Sequence, residues 1–387
     1  MVQTRPLESG KTLGGMRMTT SPEDGIDVVV VEHGGLREIT ATALPHAGED
    51  LASLLLRLSR VWGDLGAEFL IMRVFGNSDA FPSCTKTLRE FYGPIDWPVV
   101  HIQGGSCFGQ EVAGIQVHAV ADVRVDTIRS DGRPVGRVFE DDFARYCVLG
   151  NLHSSDPSRS RETQTRDTIE QMMEVLDSAG MDIHNLARTW FFIDDILGWY
   201  PAFNRVRSEI YSAEGVFDRY VPASTGIGGC NPGGTAVLAS ALGVQGKEAG
   251  VTVREIPSPL QCPAVDYGSS FSRAAELVTP DCRSVFVSGT ASIDSEGVSA
   301  NQGDVDAQIA HTLEIVGAIL KSRKMDFTDV TRGNAYFKDP AGATFLERHG
   351  SRHGLPASRV VISHCDVCRD DLLFELEVNA VKAEEAV

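Results

Sequence analysis

The chain has 387 residues, 42% of them hydrophobic and 23% charged, with a formal net charge of −18. That acidic balance, with no cluster of Lys and Arg, argues against a phosphate-neutralising nucleic-acid surface, and no run of eighteen or more apolar residues offers a membrane span. Residues 1–25 lack the apolar core of a signal peptide, and eight cysteines scattered over a large chain read as reduced thiols, so a cytoplasmic protein is expected.

In chain order, 1–25 reads as a flexible tail and 26–126 as a first, degenerate unit. Its signals are a helix over 49–65 with apolar residues at helical spacing (Leu51, Leu54, Leu55, Leu58), a strand over 69–75 and a short helix over 84–91. Strands Val99–Gln103 and 114–121 follow. The turn-rich stretch 127–136 marks a seam. A second unit, 134–246, reads as strand 143–149, helix 164–179, strand 187–194, helix 200–213 and a final strand 235–244. Pro257, Pro259 and Pro263 make 246–263 a second seam. The last unit, 252–385, opens on a strand over 284–293 with a tight turn at Gly289. Its first helix, Val305–Lys321, is capped by Asp304, whose carboxylate suits orphan backbone N–H groups. Strand Val330–Phe337, a helix over 341–350 and strands over 358–363 and 372–380 complete it.

The second and third units are copies. Gln164, Thr168, Met181, Asp182, Arg188 and Asp195 recur 144 positions later as Gln308, Thr312, Met325, Asp326, Arg332 and Asp339. Further on, Pro222-Ala223-Ser224 answers Pro356-Ala357-Ser358 at an offset of 134. Self-similarity at a long fixed period means one structural unit duplicated. Where the copies agree, as at Arg188 and Arg332, the residue serves the fold; where they differ in chemistry, one copy carries function. The largest difference is in the last strand, where Phe374-Glu375-Leu376-Glu377 stands opposite Ser240-Ala241-Leu242-Gly243. Strand alternation puts Glu375 and Glu377 on one face. Two adjacent carboxylates shielded from water raise the pKa of at least one, which suits acid catalysis; the alternative is a wet face of the sheet.

Two other motifs carry less. Cys365-x-x-Cys368 has no second pair to complete a metal site. The stretch Gly226 to Gly234 has no helix N-terminus behind it to hold a phosphate, and reads as a long turn.

The last unit also carries Phe271-Ser272-Arg273, Ser288-Gly289-Thr290-Ala291-Ser292-Ile293, Gly303-Asp304-Val305, Gln308-x3-Thr312 and Cys368-Arg369-Asp370-Asp371-Leu372-Leu373-Phe374-Glu375. Together these resemble the Rid/YjgF superfamily over about 140–385, and its chorismatase branch over 271–377. The resemblance implies an α+β fold of tandem Rid/YjgF-like (chorismate-mutase-like) units forming an intrachain pseudo-trimer, monomeric or weakly homo-oligomeric, with ligand clefts between neighbouring units. It further implies an enzyme needing no cofactor or metal, acting on a small anionic substrate, chorismate or a relative. In that reading Glu375 is the general acid on an enol-ether oxygen. Arg207, Arg273 and Lys338 hold anionic groups, Tyr336 and Cys368 shape the pocket, and Arg369 and Glu377 lie beside them. Lys338 stands where the branch leads one to expect arginine, and Asp194 brings negative charge close by. An imine-deaminase reading requires Arg359, one residue late after Pro356-Ala357, to reach the same cleft as Glu375. A third reading is a small-molecule binder without turnover.

Overall fold

The computed structural model describes residues 12–13, 16–63, 65–77, 80–247 and 250–384. Each of the three units is a mixed sheet, of seven, six and seven strands, with two α-helices. In all three, one strand pairs in parallel with the next strand of its own sheet and antiparallel with the one that follows in that sheet. Leu186–Ile193 does so with Ala223–Gly228 and Val237–Gly246. Val330–Phe337 does so with Val360–His364 and Phe374–Ala383. Glu68–Gly76 repeats the pattern with Val99–Gln103 and Val112–Ala121, so the degenerate first unit has the same topology despite its divergent residues.

Strand alternation explains how the sheets assemble. Trp190 and Phe192 point into a core shared by all three units, while Phe191 and Ile193 pack under the second unit's own helices. Tyr336 and Phe337 divide the same way in the last unit, and Phe75 and Val74 in the first. These strands are buried on both faces, and the polar side chains within them, Arg73, Arg188, Arg332 and Asn334 among them, are buried as well. Repeated polar residues serve the fold as expected. The amide oxygen of Gln164 accepts from Ala236 N at 2.8 Å and that of Gln308 from Leu373 N at 2.8 Å, each tying a helix to the last strand or its approach. Asp182 and Asp326 both close capping boxes, and Asp304 accepts from Ala307 N at 3.0 Å as its position predicts.

Three expectations change. Met16–Glu23, placed in the tail, is a strand paired with Ile26–His33; residues 1–11 and 14–15 lie outside the described residues. The seam at 127–136 is a hairpin of Asp126–Ser130 and Arg133–Glu140, turning at Asp131 and Gly132, on the edge of the middle sheet. Within 246–263, Thr252–Ile256 is the edge strand of the last sheet. One exchange crosses the units: Gly105–Ser106 leaves the first unit to pair with Val360–His364 of the last.

Candidate active site

A cavity of about 690 Å³ opens where the middle and last units meet. Helix Ile196–Ala213 offers it Leu197, Tyr200, Pro201 and Asn204, positions three or four apart that share one face. The last unit supplies Tyr267, Arg273, the loop at Cys368–Asp370, and Glu375.

Glu375 and Glu377 do share a face, turned towards the middle unit, while Phe374 and Leu376 pack under the last unit's helices. The face is dry: the two glutamates are 4% and 3% exposed. They are nonetheless in opposite states. Glu377 Oε2 takes Arg188 Nη2 at 2.6 Å and Trp190 Nε1 at 2.9 Å, with a close hydrogen bond from the Thr225 hydroxyl; Asn334 Nδ2 donates to its other oxygen at 2.5 Å. Burial pushes its pKa up, but Arg188, Arg332 and these donors outweigh that and hold it below the usual carboxylate range. Glu375 accepts no hydrogen bond from the described residues. Burial first, then the fixed charge of Glu377, push its pKa up to about 8, against the opposing pull of Arg188 and Arg273. One carboxyl is therefore a clamped anion and its neighbour a neutral acid facing a cavity. Gly289 makes the room: a Cβ there would overlap the Glu375 carboxyl.

Arg273 is 3% exposed and has no carboxylate partner among the described residues. Its Nε donates to Cys262 O at 2.9 Å and its Nη2 is buried without a partner. Arg369 donates to Gly297 O at 2.9 Å rather than pairing with Asp370 or Asp371. The two guanidiniums lie 5.3 and 5.1 Å from the Tyr267 ring, which holds both against the cavity. Cys368 lines it too, its thiol pushed up to about 12 by burial and then by Glu375, so it contributes shape rather than a thiolate.

The other expected site residues stand back from the cavity. Arg207 is 1% exposed and bonds Ser224 Oγ at 3.3 Å and Asn204 Oδ1 at 2.6 Å, so it acts through two residues that do line it. Tyr336 lies deeper, its hydroxyl 3.4 Å from Glu377 Oε1. Lys338 is not among the lining residues; it donates to Asp370 O at 2.7 Å and pairs with the Asp370 carboxylate. Arg359 does not reach the cleft either. It sits in the 3₁₀ turn Ala357–Arg359, donating to Val330 O at 2.7 Å with its Nε 3.3 Å from Asp27 of the first unit. Sequence reasoning missed Tyr267 and the binding of Arg188 and Trp190 to Glu377; the local sequence around these residues carries no signal for either.

All eight cysteines are free. Among the described residues, a group with metal-ligand spacing is His33, Asp281 and Cys282, remote from the CxxC. Asp281 already accepts from Gly34 N at 2.7 Å and Thr279 Oγ1 at 2.8 Å, leaving little for an ion.

No family model matches the chain. It is 30% identical over 217 residues to a chorismatase of Streptomyces rapamycinicus, spanning 63% of that protein and 50% of this chain. It is 28% identical over 290 residues to a 3-hydroxybenzoate synthase of Streptomyces hygroscopicus, spanning 80% of that protein and 66% of this chain. The chain thus spans less than two thirds of the chorismatases it matches. A crystal structure of a chorismatase shares its fold, with a TM-score of 0.62 at 19% identity over 81% of this chain and 92% of that one. In sequence and fold the chain resembles the chorismatase-like branch of the Rid/YjgF superfamily. Residues of two motifs read from the sequence, Phe271-Ser272-Arg273 and Cys368 to Glu375, line the same cavity, the second from a loop and the strand that follows it. No helix among the described residues is long and apolar enough to cross a membrane.

Proposed function

We propose that the chain is a chorismatase-like enzyme that protonates and cleaves the enol ether of chorismate or a related small anionic substrate, with Glu375 as general acid. The observation that carries this reading is Glu375 itself, a carboxyl with its pKa pushed up to about 8, free of hydrogen bonds from the described residues, opening on a cavity that also holds Arg273 with its buried Nη2 unpartnered. An acid poised near working pH is what general catalysis requires. The productive proton goes to the methylene carbon of the enol ether rather than to its oxygen, because this yields an oxygen-stabilised cation. Water adds to that cation, the resulting hemiketal collapses to pyruvate and the ring alcohol, and the proton lost from water restores Glu375. Arg273 and Arg369 bind substrate carboxylates; Arg207 positions Ser224 and Asn204. The clamped Glu377 keeps Glu375 protonated and lends negative potential to the developing cation.

Support for the branch comes from the relatives named above, two of which are called by activities on this chemistry. The deaminase reading loses its substrate-binding arginine, since Arg359 is committed to Asp27. The test is incubation of purified protein with chorismate, followed by chromatography for its loss and for pyruvate, with Glu375→Gln in parallel. Loss of chorismate with release of pyruvate, slowed about 10²–10⁴-fold in Glu375→Gln, is the expected outcome. A folded Glu375→Gln variant of undiminished rate would remove the acid assignment. Binding of chorismate without turnover would leave a binder.

A further inference from the structure

Behind the active site, on the axis where the three sheets face one another, lies an unusual charge cluster. The indole of Trp190 is approached by one guanidinium from each unit: Arg73 at 4.4 Å from its ring centroid, Arg188 at 4.7 Å and Arg332 at 5.0 Å. They are 3%, 0% and 7% exposed. Arg188 is neutralised by Glu377 at 2.6 Å. The other two feel Glu377 only at longer range. Neither Arg73 nor Arg332 has a carboxylate within ion-pair distance among the described residues. Arg332 reaches only Gln116 Oε1, at 3.3 Å, and Arg73 makes no hydrogen bond, its Nε buried without a partner.

Both line an enclosed space of about 60 Å³, with hydroxyl donors from Thr40, Ser284 and Thr331 around it. Glu38 also borders this space, but its carboxylate is already held by His33 Nε2 at 3.1 Å and His118 Nε2 at 2.7 Å. A guanidinium does not shed its charge as lysine does. Attraction to an indole face is weaker than the cost of removing such a charge from water. Water in the cavity would satisfy N–H groups without balancing charge. The volume admits a monatomic ion with a water, not a ring carboxylate.

We propose that this cavity is a binding site for a small inorganic anion, chloride or a similar halide, held by Arg73 and Arg332. Arg73 is the residue that fixes it, having no other partner. The inference stands apart from the catalytic reading, since none of these three side chains lines the larger cavity.

The test is diffraction from crystals of the full chain grown in sodium bromide, at the bromine absorption edge. An anomalous peak within hydrogen-bonding reach of the Arg73 and Arg332 guanidiniums is expected; water alone in that cavity overturns the proposal, whether or not any variant folds. In solution the native protein should melt about 2 °C or more higher in roughly 0.2 M chloride than in gluconate of equal ionic strength, as mass action requires. Arg73→Met, which leaves an apolar side chain on Trp190, should lose that difference. A native protein that melts identically in the two salts also overturns it.

Discussion

The working state of Glu375 depends on what happens two residues away. Glu377 stays ionised because five side chains from two units converge on it, and its charge raises the pKa of Glu375. Replacing Glu377 by Gln should therefore lower the Glu375 pKa and move the alkaline limb of the proposed activity's pH–rate profile, expected near pH 8 in the native protein, to lower pH. An unmoved limb would mean that burial alone sets the acid. Arg273→Ala, which removes a buried unpaired guanidinium from the cavity, should weaken substrate binding about 10- to 100-fold, read as KM or as the inhibition constant of a product. Lys338→Ala should change KM less than twofold, because that ammonium is spent on Asp370. The shared face of Glu375 and Glu377 was legible from alternation alone. Their division into acid and anion was not, because Arg188 lies 189 positions from Glu377 in sequence.

At the scale of elements, helices announced themselves and some strands did not. Leu51–Trp62, Arg161–Ser178 and Val305–Lys321 each bury one stripe, so their spacing is plain. Ile26–His33 shows no alternation because Val28–Val31 is buried on both faces. The site itself hangs on an irregularity in one strand. The register of Cys282–Ala291 against Phe374–Ala383 slips between Val287 and Thr290, and Gly289 sits in the slip, beside the acid. Gly289→Ala should expel the Glu375 carboxyl from its place. We expect at least a tenfold loss of kcat with near-native circular dichroism, which separates a displaced acid from a broken fold.

For the whole molecule, a neutral buried acid makes stability depend on pH. With its folded pKa near 8 and an ordinary value of 4.5, Glu375 binds a proton more tightly in the folded chain. Its contribution is complete below 4.5 and is lost as pH rises through about 8, at up to ~1.4 kcal/mol per pH unit between. Urea titrations at several pH values should show native stability falling faster over this window than that of Glu375→Gln; parallel slopes would place the pKa elsewhere. The repeat is legible because two copies keep their capping and core residues, while the first shows only in element order; the pseudo-trimer is what the family resemblance implies. The first unit's attachment has a consequence of another kind. Gly105–Ser106 is stitched into the last sheet, and Met18, Val381 and Ala383 pack against one cluster of Val29, Val31 and Cys282, so the first and last units meet on both sides. Topologically the protein is a ring of three beads with one link missing. A permuted chain opened at another seam, with a linker joining residues near Met18 and Ala383, should fold to the same ring.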